Sequence, residues 1–147
     1  MEFERLKDKV IVISGGTKGV GRAFAEVAGR EGARVVIGGR DEKAGKEAVR
    51  NIRTFGSDGM FVRTDLMKVA DCRHLFDAGV EKFGKIDGFF NYAGATPVSP
   101  LDTCDEETFD WVTSVNYKPA GDKVYANEWR RQHCSYWFRS RLGRSEG

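Results

Sequence analysis

No stretch of the 147 residues approaches the roughly 20 consecutive apolar side chains that span a bilayer, so no membrane-spanning helix is predicted. The opening residues, Met1-Glu2-Phe3-Glu4-Arg5, are charged and lack the apolar core of a secretory signal. Cysteine is scarce: Cys72, Cys104 and Cys134 are odd in number and show no paired ligand spacing. That usage predicts reduced thiols in the cytoplasm, with neither a disulfide framework nor a metal site. The composition is otherwise that of an ordinary globular chain, 40% apolar and 31% charged with a net charge of +2. Its length amounts to one domain, enough for a core but short for a complete dinucleotide enzyme.

The charge is uneven. Residues 117–147 carry seven Lys or Arg against three acids, which leaves the first 116 slightly acidic. The same segment holds two of the three Trp and, among Val, Leu and Ile, only Val124 and Leu142. No strand or helix pattern is legible there.

What is present upstream is regular. Lys9–Ser14 reads as a buried strand running into Ser14-Gly15-Gly16-Thr17-Lys18-Gly19-Val20-Gly21. A turn that tight needs glycine where a side chain would block the backbone, and the helix behind it offers unpaired N–H groups and a positive dipole end to a phosphate. Phe24, Val27 and Ala28 continue at helical spacing to Gly32. A second strand covers Arg34–Gly38, and Ala44, Ala48, Ile52 and Phe55 mark a helix closed by Gly56. Met60–Thr64 is a third strand, and Leu75, Phe76, Val80 and Phe83 line a third helix closed by Gly84. Asp87–Tyr92 is a fourth strand ending at Ala93-Gly94. Thr103 with Glu106 three residues on has the form of a capping box for a helix bearing Phe109, Val112 and Asn116 on about one face. Alternation of this kind predicts an α/β fold, a Rossmann-like parallel sheet of about four strands in the order 3-2-1-4 with flanking helices. The sheet is incomplete, because the fourth strand keeps an unpaired edge that the tail has no apolar run to fill.

Four motifs in order resemble the short-chain dehydrogenase/reductase family: Ser14-Gly15-x-x-x-Gly19-x-Gly21, Thr64-Asp65-Leu66, Asn91-Tyr92-Ala93-Gly94 and Trp111-x-x-x-Val115-Asn116. Tyr92 stands where the family has a second Asn. The resemblance implies cofactor contacts at Gly15, Thr17, Lys18, Gly19, Val20, Gly21, Arg40, Asp65, Leu66, Asn91, Ala93 and Gly94, with Asn116 as the one catalytic position represented. Singly each has a plainer reading: turn glycines, a cap before Met67 at Asp65, a helix-end residue at Asn116. The second strand ends Gly38-Gly39-Arg40 without an acid to bind a ribose 2′-hydroxyl, and Lys18 and Arg40 suit a 2′-phosphate, so NADP(H) is favoured over NAD(H). Asp41 next door pulls the other way.

The family transfers hydride between the nicotinamide and a carbonyl or alcohol, using a tyrosine whose pKa is lowered by a lysine four residues later. This sequence holds no Tyr-x-x-x-Lys: Tyr92, Tyr117, Tyr125 and Tyr136 are followed at that spacing by Thr96, Gly121, Trp129 and Ser140. A domain over 1–117 is therefore expected to be a partial dinucleotide fold, and 118–147 a basic tail outside the family pattern and poorly ordered. A shifted reading frame from about Pro119 accounts for that tail, since moving one base forward turns each Trp codon into the start of a Gly codon. A natural RNA-binding tail is the rival, and a non-catalytic dinucleotide- or partner-binding protein is the second functional reading. Sequencing codons 117–147 decides between a frame shift and a natural tail.

Overall fold

A computed structural model describes residues 4–96 and 104–116. The expectations for Thr103, for Pro119 onward and for the tail lie outside the described residues. The elements are β1 (Val10–Ser14), α1 (Gly19–Arg30), β2 (Arg34–Gly39), α2 (Glu42–Thr54), β3 (Gly59–Arg63), α3 (Val69–Phe83), β4 (Gly88–Asn91) and α4 (Glu106–Asn116). The strands form one parallel sheet in the order β3-β2-β1-β4, the order the alternation predicts.

β1 is buried along its whole length because both its faces are covered. Val10 and Val12 enter one cluster with Leu75, Phe76 and Cys72 of α3. Ile11 and Ile13 enter the other with Ala25 and Ala28 of α1 and Ala48, Val49 and Ile52 of α2. The period of two along a strand thus distributes consecutive β-branched residues to two cores. In register, Ser14 sits beside Gly38 on one side and Asn91 on the other, which brings the ends of β1, β2 and β4 to one edge.

Three local readings change. Phe55 is not part of the α2 core stripe: the helix ends at Thr54, the Phe55 N–H turns back to the Ile52 carbonyl, and the ring lies 39% exposed under the Arg30 guanidinium at 4.5 Å. Phe109 is 63% exposed on α4, while Val112 and Asn116 are half-buried. The cap of α4 is Asp105, whose carboxylate accepts the Thr108 N–H at 2.7 Å; Glu106 is already the first helical residue.

Asp87 ties β4 to β1 below the ladder. Its carboxylate accepts the Val10 N–H at 2.8 Å and meets Lys85 Nζ at 2.9 Å. Partial burial opposes its ionisation, but the Lys85 ammonium and the Val10 N–H outweigh burial and hold the carboxyl below its usual range. A depressed carboxylate contributes stability that is complete above the unfolded value near pH ~4 and is lost as pH falls through the folded value. Asp87→Ala is expected to destabilise the chain by about 1–3 kcal/mol at neutral pH, because it strands a partly buried N–H. Urea melts from pH 7 down to pH 2.5 check this. The wild type must lose its advantage on acidification, and an advantage independent of pH contradicts the assignment.

Candidate functional site

The apolar run of β1 stops at Ser14 because the chain must leave the sheet there, and glycine permits the exit. Gly15 takes φ +72° and its N–H bonds to the Gly38 carbonyl at 2.9 Å. A Cβ on Gly15 would lie 2.8 Å from the Ala93 backbone, and one on Gly21 would lie 2.2 Å from the Gly15 carbonyl oxygen. The turn is therefore folded on itself and seated against the end of β4 with no room for a side chain at either position.

Gly19 differs. It takes φ +54°, yet a Cβ there would meet nothing within 4 Å. Among the described residues the space in front of the first turn of α1 is open. No side chain among them caps that turn, and the Arg22 N–H to the Lys18 carbonyl, 3.2 Å, is the bond that begins the helix. The amides of Gly19, Val20 and Gly21 are left at the positive end of a 12-residue helix, the arrangement that accepts an anion. Thr17 lies beneath this turn, 8% exposed.

The buried Ser14 hydroxyl locks the two halves of the edge together. It donates to Asn91 Oδ1 at 2.5 Å and accepts the Ala93 N–H at 3.4 Å. The motif reading gave Ser14 no role of its own; its place beside Asn91 in the β1–β4 register is the signal that finds it. Beyond β4, Asn116 clasps the chain: Nδ2 donates to the carbonyls of Ala95 (2.7 Å) and Val112 (2.9 Å), and Oδ1 accepts the Ala95 N–H at 3.2 Å. A Cβ on Gly94 would fall 2.4 Å from that Oδ1, so the glycine admits the clasp. Tyr92 is 46% exposed and stacks on Phe90 with centroids 5.8 Å apart, so the residue that departs from the family pattern extends an aromatic stack.

At the end of β2, Arg40 is exposed and has no ion pair among the described residues, whereas Lys18 Nζ meets Asp41 Oδ2 at 2.7 Å. Asp41 also caps α2 by accepting the Ala44 N–H at 3.0 Å. The Ala44 N–H and the Lys18 ammonium hold its carboxyl below the usual range. At the end of β3, Asp65 Oδ1 accepts the Met67 N–H at 3.1 Å, and Leu66 packs against the α3 core. The structure thus brings Gly15, Gly21, Asn91 and Ala93 into one packed unit. It places Val20, Lys18, Arg40 and Asp65 around it along the same sheet edge, with Gly94 and Asn116 behind. Among the described residues no cluster of His, Cys, Asp or Glu is placed to hold a metal, and no helix is long and apolar enough to cross a membrane.

This geometry has counterparts in known proteins. An uncharacterized oxidoreductase of Listeria monocytogenes is 32% identical over 113 residues, 77% of this chain and 46% of its own. The chain superposes on an NADH-dependent reductase A1-R′ complexed with NAD at a TM-score of 0.72, 36% identical over 80% of this chain and 49% of that one. It superposes on a short chain dehydrogenase from Burkholderia cenocepacia in complex with NADP at 0.80, 26% identical over 87% and 52%. The chain spans about half the length of the curated relatives it matches. The family model for short chain dehydrogenases aligns with residues 9–123, entering the first residues of the segment read as tail. With sheet order, glycine turn and family alignment in agreement, the chain belongs to the short-chain dehydrogenase family.

Proposed function

We propose that this chain is the nucleotide-holding part of a short-chain dehydrogenase and takes NADP(H) in preference to NAD(H). The supporting observation is the end of β2. Arg40 is free there among the described residues, and the neighbouring Asp41 is already engaged by Ala44 and Lys18 rather than turned to a ribose. The strand end carries Gly38 and Gly39 instead of an acid, and a Cβ there would crowd Leu75 Cδ2 at 2.6 Å and Thr17 Cγ2 at 2.7 Å, so an acid requires those side chains to shift. The amides of Gly19, Val20 and Gly21 would hold the pyrophosphate, the Gly15 turn and Asn91-Ala93-Gly94 would shape the cleft, and Asp65 and Leu66 would border the adenine. Similar proteins are recorded with either nucleotide, which supports the class and leaves the choice to Arg40.

Titration calorimetry tests this. NADPH is expected to bind about 10-fold tighter than NADH, and Arg40→Gln to erase the difference by removing a charge-assisted contact. Equal affinities in the unaltered chain overturn the preference.

The bound nicotinamide would accept or supply hydride, exchanging it with a carbonyl or alcohol carbon. This chain contributes Asn116 but no Tyr-x-x-x-Lys to move the proton. The expected result is binding without turnover: no NADPH oxidation above background against a broad ketone panel. Clear turnover shows that the proton route lies elsewhere in these residues. A non-catalytic nucleotide-binding role remains the second reading, favoured by the same missing pair. RNA binding through residues 118–147 ranks below both.

A further inference from the structure

The N-termini of α1 and α2 both open on the sheet edge that carries the glycine turn, and one ion pair joins them. Lys18 is the residue before α1 and Asp41 the residue before α2. They meet because the glycine turn lies over the end of β2, where Thr17 Cγ2 takes the space that a Cβ on Gly39 would need. Lys18 Nζ stands 2.7 Å from Asp41 Oδ2, while Asp41 Oδ1 accepts the Ala44 N–H at 3.0 Å. One carboxylate thus divides its two oxygens between a helix cap and a cation.

The cap uses Oδ1 alone, and the helices are held together without the ion pair. Behind it, Arg22 of α1 donates from Nη2 to Glu47 of α2 at 2.9 Å and from Nε to Glu26 at 3.0 Å. Asn51 Nδ2 of α2 donates to the same Glu26 oxygen at 3.0 Å. The Arg22 side chain is 25% exposed and that of Lys18 73%. A pair as exposed as Lys18–Asp41 adds little to stability. Its consequence is electrostatic: the Lys18 ammonium already has a counter-ion, and Arg40 has none among the described residues.

We propose that Asp41 is a specificity-determining residue, which holds Lys18 in an internal ion pair that a ribose 2′-phosphate must break before it can use that cation. The inference rests on the reading of this edge as an NADP(H) site. A phosphate entering beside Lys18 and Arg40 is opposed by Asp41 in two ways. The carboxylate competes for the ammonium, and its own charge repels the phosphate. A ribose with a free 2′-hydroxyl meets neither effect. Asp41 therefore narrows the gap between NADPH and NADH that Arg40 opens.

Titration calorimetry of Asp41→Asn with NADPH and with NADH tests this. Asparagine caps a helix as well as aspartate does, so α2 keeps its first turn while Lys18 is released. NADPH is expected to bind about three- to tenfold tighter than to the unaltered chain, with NADH shifted by less than about twofold. Lys18→Met separates competition from plain repulsion. It should weaken NADPH more in the Asp41→Asn chain than in the unaltered one, because only there is the ammonium free for the phosphate. Equal losses in the two backgrounds overturn the proposal, as does an Asp41→Asn chain that leaves NADPH unaltered or tightens both nucleotides alike. Should Asp41→Asn not fold, Asp41→Ser supplies the same cap; failure of both to fold makes Asp41 a structural cap and overturns the proposal too. A chain that prefers NADPH but ignores Asp41→Asn loses only the role of Asp41. One that binds both nucleotides equally until Asp41→Asn is introduced keeps that role and loses its intrinsic preference. Absence of nucleotide binding in every variant overturns both.

Discussion

Gly21→Ala is expected to remove dinucleotide binding, weakening NADPH by about 100-fold or more, the loss of roughly two charge-assisted amide contacts. The cause is steric. The added Cβ would sit 2.2 Å from the Gly15 carbonyl oxygen and 3.2 Å from the Tyr92 ring, and the first of these is backbone that has no rotamer to yield. Either α1 withdraws or the Gly15 turn opens, and both displace the amides of Gly19 and Val20. Gly19→Ala separates fold from ligand at the same loop. Among the described residues its Cβ meets nothing within 4 Å, so the cost to folding is that of the left-handed backbone, about 1–2 kcal/mol. That Cβ occupies the open space in front of the helix, so binding falls by steric exclusion while the melt falls only by the strain of that backbone. Calorimetry and thermal unfolding on both variants give the answer. Undiminished NADPH affinity in Gly21→Ala would mean that the glycine turn is a structural corner and nothing more.

Much of this arrangement is legible in the sequence, for reasons that differ by element. The sheet order follows from β-branched runs alternating with helical stripes, because a parallel crossover leaves few alternatives. Ends were located by glycines such as Gly32, Gly56 and Gly84, each of which adopts positive φ where the chain leaves a helix. The glycine turn, Asn91, Ala93, Gly94 and Asn116 are recoverable from order and spacing, and the structure brings them to one edge. Other features depend on partners distant in sequence. Ser14 and Asn91 are 77 positions apart, and their bond exists only once the β1–β4 register is set. Lys18 and Arg40 look equivalent as charges, but Asp41 takes up Lys18 and leaves Arg40. The exposure of Phe109 and Phe55 is invisible to periodicity, which reports that a face is apolar and not whether anything lies against it.

All four residues of β4 are half-buried, whereas β1 is buried along its whole length. The helices that cover the two cores are α1, α2 and α3, and Phe89 and Phe90 of β4 pack against one core each.

Gly45→Ala carries the second large effect, and here helix propensity predicts the wrong sign. In the sequence Gly45 is an unexplained glycine inside α2, where alanine ordinarily gains about 1 kcal/mol. In the structure the Phe61 ring from β3 lies over it: a Cβ would stand 2.1 Å from Cδ2, 2.4 Å from Cε2 and 2.6 Å from Cγ. Contact reaches Cγ at the root of the ring as well as its edge, so turning the ring does not relieve it. Overpacking of this kind costs about 1–3 kcal/mol, and with so close an approach it outweighs the helical gain. The expected outcome is a lower melting temperature for Gly45→Ala, by several degrees on the scale of ~4–8 °C per kcal/mol for a domain of this size. Phe61→Leu in the same chain should recover most of the loss, a coupling that a double-mutant cycle reads directly. A stabilised Gly45→Ala would show that β3 and α2 separate freely, and that Phe61 is not held where the sheet places it.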